Sequence, residues 1–367
     1  MAPVDVIILH PTPGPAAGPF EAALAEARLG LAERHRTGFL AAGATRVEIV
    51  AGPPDRRPFG ARLRELRGRM APGRGLVLLG SGAVPLATLE DLRLLVTGAA
   101  LDEPRALANN RYSADVVAVS AGAASALDGL PDAFPVDNAL PRWLTEVAGI
   151  PLGDLRGRWR LAMDLDSPLD AIVAARARLS TGVRVPAALE TAADRLEAPL
   201  SGVAGVVTDR RAELVVAGRT SITTLAWLQR HARCRVRALV EERGLRASSR
   251  LALDDPASAP HRGPRSSLGL LLDRDGPAAL GPRLAELGDA AIVDTRVLLA
   301  HRLGADETRW PAAESRYASD LLDPDRVDDP WLAELTTAAA GAAIPVLLGG
   351  HSLVGPGIRL IGSRTRA

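Results

Sequence analysis

Short β-branched runs alternate with helix-length amphipathic stretches along this chain. That alternation restricts it to α/β architecture, with sheets wound through covering helices. Residues 4–9 (VDVIIL), bounded by Pro and Gly, read as a buried strand. After the loop 10–18, residues 20–42 place Leu24, Ala27, Leu31 and Phe39 on one helical face, and Gly43 stands where a C-cap belongs. Residues 46–51 predict a second strand, 57–70 an arginine-rich amphipathic helix, and 76–79 a third strand running into Gly80-Ser81-Gly82. A helix over 88–96 opens on Thr88-Leu89-Glu90-Asp91, a capped start. Residues 115–119 predict a fourth strand and 161–164 another; Ser167-Pro168 then opens a helix reaching residue 179. Such a pattern implies a mainly parallel sheet with right-handed crossovers, whose ligands bind at the carboxyl ends of the strands. The loops 10–18, 80–86, 120–125 and 164–170 are therefore the places to look for chemistry.

A helix from 187 is expected to end in a break at 198–205 (APLSGVAG), after which the alternation resumes. Strands are predicted over 212–217, 236–240, 290–298 and 344–348, and helices over 221–231, 277–287 and 330–343. The stretch 248–267, rich in Ser, Pro, Asp and Arg, is the candidate mobile loop. This half either builds a second, smaller α/β sheet or extends the first. With 367 residues, two domains are expected, 1–200 and 206–367.

Composition removes several functional classes. All 44 basic residues are Arg, so a Walker A phosphate loop, a Schiff-base lysine and a lysine general base are excluded. A single Cys, Cys234, excludes an intrachain disulfide and a cysteine zinc cage. The net charge of +1 argues against a chain-wide basic surface for nucleic acid. No apolar run is long enough to span a bilayer, and the N-terminus lacks a basic n-region, so no membrane partner is expected and the expected location is cytoplasmic.

The order strand, loop, helix, strand, then GLVLLGSGAVPLATLEDL (75–92), then RWRLAMDLDSPLDAI (158–172), resembles the nucleotidyltransferase-like GT-A superfamily over residues 4–180. Phospholactate and molybdenum-cofactor guanylyltransferases are the nearest in pattern. Asp164-Leu165-Asp166-Ser167-Pro168-Leu169-Asp170 matches the late Asp-rich stretch of those families, and Pro85-Leu86 matches part of the turn after the third strand. Ala83 stands where the family has a metal-binding Asp, and the loop after strand one carries two prolines in place of a basic phosphate contact. The resemblance implies a GT-A-like fold, a nucleotide donor, a small acceptor and Mg²⁺.

Nucleotidyl transfer needs an aligned acceptor oxygen and cationic stabilisation of the phosphoryl group. Asp164 and Asp166, two apart, share a side of an extended chain and are the candidate Mg²⁺ ligands and catalytic residues; the competing reading is helix capping. Candidate nucleotide contacts are His10, Gly80, Ser81, Gly82, Asn109, Asn110, Arg111 and Tyr112. Tyr112 offers a stacking surface, Arg111 a phosphate contact, and Gly80-Ser81-Gly82 backbone donors; the bland alternatives are an Asx turn, a structural Tyr and a tight turn.

In the second half the candidates are Arg219, Asp294, Arg296, His351 and Ser352. Arg219 precedes a helix N-terminus, which suits phosphate or carboxylate. Asp294 and Arg296, inside an apolar run, are costly unless paired or used. His351-Ser352 follows two glycines; adjacent residues cannot form a Ser–His catalytic bond, so a polar ligand loop is the reading. Three hypotheses stand: a nucleotide-dependent, Mg²⁺-assisted transferase; a degenerate binding protein of the same fold; or chemistry in the C-terminal half.

Overall fold

A computed structural model describes residues 2–54, 57–177, 179, 181–242 and 264–364. It divides into two compact units, 1–17 with 25–165, and 18–24 with 166–367. The first holds a six-stranded sheet of β1 (Val4–Pro11), β2 (Arg46–Gly52), β3 (Gly75–Gly80), β4 (Ala106–Ala108), β5 (Val116–Val119) and β6 (Leu152–Asp154). Their order is β2-β1-β3-β5-β4-β6. β1 is parallel to β2 and β3, β5 runs antiparallel between β3 and β4, and β4 is parallel to β6, so the sheet is mixed but mostly parallel.

Alternation along β1 explains why its run is apolar throughout. Val4, Val6 and Ile8 pack with Phe39, Leu92 and Leu95 on one face. Ile7 and Leu9 pack with Phe59, Leu63 and Trp143 on the other. A sheet covered on both faces needs no polar side to its central strands. Each fully buried aliphatic side chain contributes about 1.5–3 kcal/mol.

Helices fall where the periodicity puts them: Pro19–Ala41, Phe59–Arg67 and Leu89–Ala99, the last with a Thr88/Asp91 capping box. Two expectations need correction. No strand forms over 161–164: Trp159–Ala162 is a 3₁₀ turn, and Asp164 makes only an isolated antiparallel bridge with Ala83. Leu161, Met163 and Leu165 are buried alternately, as in a strand, but no neighbouring backbone continues the ladder. The other correction concerns β4 and β6, three residues each, which are too short for a periodic signal.

The second unit carries a separate sheet of β7 (Glu213–Gly218), β8 (Arg235–Val240), β9 (Ala290–Asp294) and β10 (Val346–Gly349), all parallel in the order β10-β9-β7-β8. The chain leaves β7 toward β8 and returns on the opposite side as β9. The carboxyl ends of β7 and β9 therefore flank a topological switch point, where ligands of wound sheets bind.

The expected break at 198–205 lies inside the helix Glu190–Thr208. Its stripe of Leu196, Leu200, Val203, Ala204 and Val207 is buried, and that burial carries the helix through Pro199. The strand expected over 290–298 stops at Asp294, whose side chain accepts the Arg296 N–H and caps the helix Thr295–Leu303. The mobile-loop candidate 248–267 lies, up to residue 263, outside the described residues. Among the described residues no helix is long and apolar enough to cross a membrane.

Candidate functional site

At the carboxyl edge of the first sheet, His10 ends β1 with its Nδ1 3.1 Å from Ser81 Oγ. Both side chains are buried, and burial, helped by nearby Arg28, lowers the His10 pKa. Gly80-Ser81-Gly82 forms the tight turn: Ser81 N–H donates to Leu9 O and Ala83 N–H to Gly80 O. Gly82 is required by what faces it, since a Cβ there would lie 3.0 Å from both Arg28 Nε and Asp164 Oδ1. Arg28 is a cationic group at this edge that sequence reading missed, because it sits mid-helix in an ordinary amphipathic pattern.

The same helix clamps the rest of the turn. Arg34 Nη2 donates to Pro85 O at 2.6 Å, and His35 Nε2 donates to Ala83 O at 2.9 Å. Between those carbonyls Val84 is held at φ +47, a strained conformation for a β-branched residue. His35 is fully buried, and burial lowers its pKa from 6.5 to about 4. Below pH 6.5 the unfolded chain therefore takes up a proton that the folded one refuses. Stability is full above pH 6.5 and falls until about pH 4, by about 3 kcal/mol in total. His35→Gln, which keeps a donor to Ala83 O, should flatten that slope for the first unit in peptide-resolved hydrogen exchange; an unchanged slope would assign it to another group.

The 109–115 cluster is occupied structurally. Asn109 Nδ2 donates to Asp115 Oδ2 and Leu161 O, and its Oδ1 accepts the Asp115 N–H. Asn110 Oδ1 accepts the Tyr112 N–H, the Asx turn of the bland reading. Tyr112 is exposed, with the Arg156 guanidinium 5.3 Å above its ring, while Arg111 is half-buried beside it.

The denser constellation stands at the carboxyl edge of the second sheet. Arg219, just past β7, grips Asp294 at the end of β9 with bonds of 2.6 and 3.0 Å. Arg296 holds Asp320, from the helix Ala313–Asp320, through bonds of 2.5 and 2.6 Å. Asp294 and Arg296 thus do not pair with each other, as their spacing suggested, but each finds an outside partner. Burial raises the Asp294 pKa, yet Arg219 outweighs it and the carboxyl stays below its usual range. From β10, Gly349-Gly350 leads to His351, whose Nδ1 lies 3.3 Å from Asp166 Oδ2. Both are partly exposed, at 34% and 46% of the side chain, so this pair can meet a ligand. Ser352 is buried next to it.

Asp170, the last residue of the Asp-rich stretch, sits in the first turn of the helix Pro168–Ala175. Its Oδ2 accepts N–H bonds from Asp166 and Ser167 and the Ser167 hydroxyl, completing a capping box. Burial, then the charges of Asp166 and Asp320, raise its pKa to about 7. Both Asp170 and Asp320, the latter in the polar stretch 314–320, stand out in the sequence, but their burial and the Arg296–Asp320 link do not.

The two candidate metal ligands part company. Asp164 belongs to the first unit, at the Gly82 turn, and Asp166 to the second, at His351. Among the described residues no three His, Cys, Asp or Glu side chains converge as a metal site.

No family model matches the chain, and no curated protein matches it. Among solved structures it is similar to the crystal structure of a "putative nucleotide-diphospho-sugar transferase" from Desulfovibrio desulfuricans G20. That match has 13% identity and a TM-score of 0.33, over 51% of this chain and 93% of the other.

Proposed function

We propose that this chain is a group-transfer enzyme whose reaction is centred on the carboxyl edge of the second sheet. The observation that carries this reading is the half-exposed Asp166–His351 pair, set beside two arginines each paired with a buried carboxylate at a topological switch point. Asp166, 3.3 Å away, orients the imidazole, which suits His351 to take a proton from an acceptor hydroxyl and return it to a leaving group. Arg219 and Arg296, fixed by their carboxylates, are pre-organised to hold substrate with little reorganisation. The donor in this reading is a nucleotide, as the sequence resemblance to GT-A nucleotidyltransferases implies. A catalytically degenerate binding protein is the second reading, favoured by the structural engagement of Asn109, Asn110 and Tyr112.

Thermal shift with GTP, CTP, ATP and UTP tests the donor: one of them should raise the melting midpoint. Incubating that nucleotide with a pool of small hydroxylated and phosphorylated acceptors should then give a new product. His351→Ala should slow its formation by about 10²–10⁴-fold, the usual worth of a positioned acid–base group. A chain that responds to no nucleotide loses the transferase reading, and a rate indifferent to His351 moves the chemistry elsewhere.

A further inference from the structure

We infer that the space over Gly350 is a subsite for a tetrahedral oxyanion, a phosphate or the phosphoryl end of a substrate. This deepens the reading above by naming a substrate class, without depending on which group is transferred.

Two features meet there, and a third lies on the adjoining loop after β7. Gly350 is buried and directly follows β10, yet a Cβ built on it would meet only Arg219 Nη2 at 3.9 Å and Arg296 Nε at 4.0 Å. The emptied volume is therefore walled by two guanidiniums from two other strand ends. Secondly, those guanidiniums keep donors in reserve. Asp294 engages Nε and Nη2 of Arg219, and Asp320 with Thr295 engages Nη1 and Nη2 of Arg296. Among the described residues, Arg219 Nη1 and Arg296 Nε donate to nothing. Thirdly, Thr220, next to Arg219, is 5% exposed, and its hydroxyl has no hydrogen-bond partner. A buried hydroxyl without a partner costs stability unless a ligand completes it. Thr220 immediately precedes Ser221, the N-cap of the ten-residue helix Ile222–His231, so its place is also that of the positive end of a helix dipole.

Asp294 and Asp320 fix the arginines and cancel their charge. Recognition then rests on directed donors rather than on bulk positive potential, and inorganic phosphate alone should bind in about the millimolar range. The donors in reserve on Arg219, Arg296 and Thr220 suit the several acceptor oxygens of a tetrahedral group better than a planar carboxylate.

Calorimetric titration of the full-length protein with inorganic phosphate, at ionic strength held constant with chloride, tests this directly. Saturable binding is expected, with acetate at least tenfold weaker. Gly350→Ala puts a methyl group into the space at ordinary contact distance, so the fold stands while phosphate affinity should fall at least tenfold. Thr220→Val removes the orphan hydroxyl at equal size and should weaken binding about fivefold, the worth of one hydrogen bond, without lowering the melting midpoint. Absence of saturable phosphate binding, equal binding of acetate, or retention of wild-type affinity in both variants would overturn the inference. His351→Ala is expected to bind phosphate normally, so loss of turnover there and loss of phosphate binding in Gly350→Ala report on separate claims.

Discussion

Asp320→Ala should be the most damaging single change in the second unit, lowering its unfolding free energy by about 3–5 kcal/mol. The carboxylate is fully buried and accepts two bonds from Arg296, itself 7% exposed. Removing it leaves the guanidinium with only the Thr295 hydroxyl and the Asp294 carboxylate, which Arg219 already grips. The double variant Arg296→Met/Asp320→Leu removes both charges and should recover much of the loss, because desolvating the pair offsets most of its Coulombic gain. Denaturant midpoints compare the two variants. A single variant within about 1 kcal/mol of wild type would mean that the pair is not desolvated in solution.

Asp170→Asn should change the pH dependence of stability more than any other substitution. The folded carboxyl titrates at about 7 against an ordinary value of 3.8. Below pH 3.8 both states are protonated and the stability contribution is complete. As pH rises, the unfolded chain ionises first, so stability falls through the interval up to about pH 7 and then levels off. The whole excursion is about 4 kcal/mol. Asn keeps an acceptor for the Asp166 and Ser167 donors but cannot ionise, so the variant should be flat across the interval and more stable than wild type above neutrality. The sign is opposite to that of His35, which loses stability as pH falls over much of the same range. Peptide-resolved hydrogen exchange separates the two, because Asp170 and His35 belong to different units. If Asp170→Asn follows the wild-type profile, the proton resides elsewhere in the cluster.

The architecture was largely legible because apolar burial on both faces of a sheet leaves continuous β-branched runs, such as those of β1, β3, β7 and β10. What escaped was local. β4 and β6 are too brief to show a period, and Leu161, Met163 and Leu165 keep a strand's alternation without its ladder. The run AAIVDTRVLLAH reads as one strand until Asp294 is seen to cap a helix, because apolar side chains suit both a buried strand and the buried turns that follow. Pro199 suggested a break that the buried stripe of its helix overrides. The candidate sites were legible as residues but not as partnerships. Arg219, Asp294, Arg296 and His351 stood out singly, whereas the links Arg219–Asp294, Arg296–Asp320 and His351–Asp166 join positions far apart in the chain. Hydrogen bonding visible only in three dimensions ties Asn109 to Asp115 and Leu161, and Asn110 to Tyr112.

The second unit is discontinuous, and this bears on any attempt to dissect the protein. Residues 18–24 belong to it although they precede nearly all of the first unit. Within that segment the Phe20 and Glu21 N–H groups donate to the Glu314 carboxylate, and the Arg326 guanidinium lies 5.2 Å above the Phe20 ring. A fragment starting at residue 166 would leave that carboxylate and that cation facing solvent. On the ribosome, likewise, this early heptapeptide must wait for the last third of translation before its docking partners emerge.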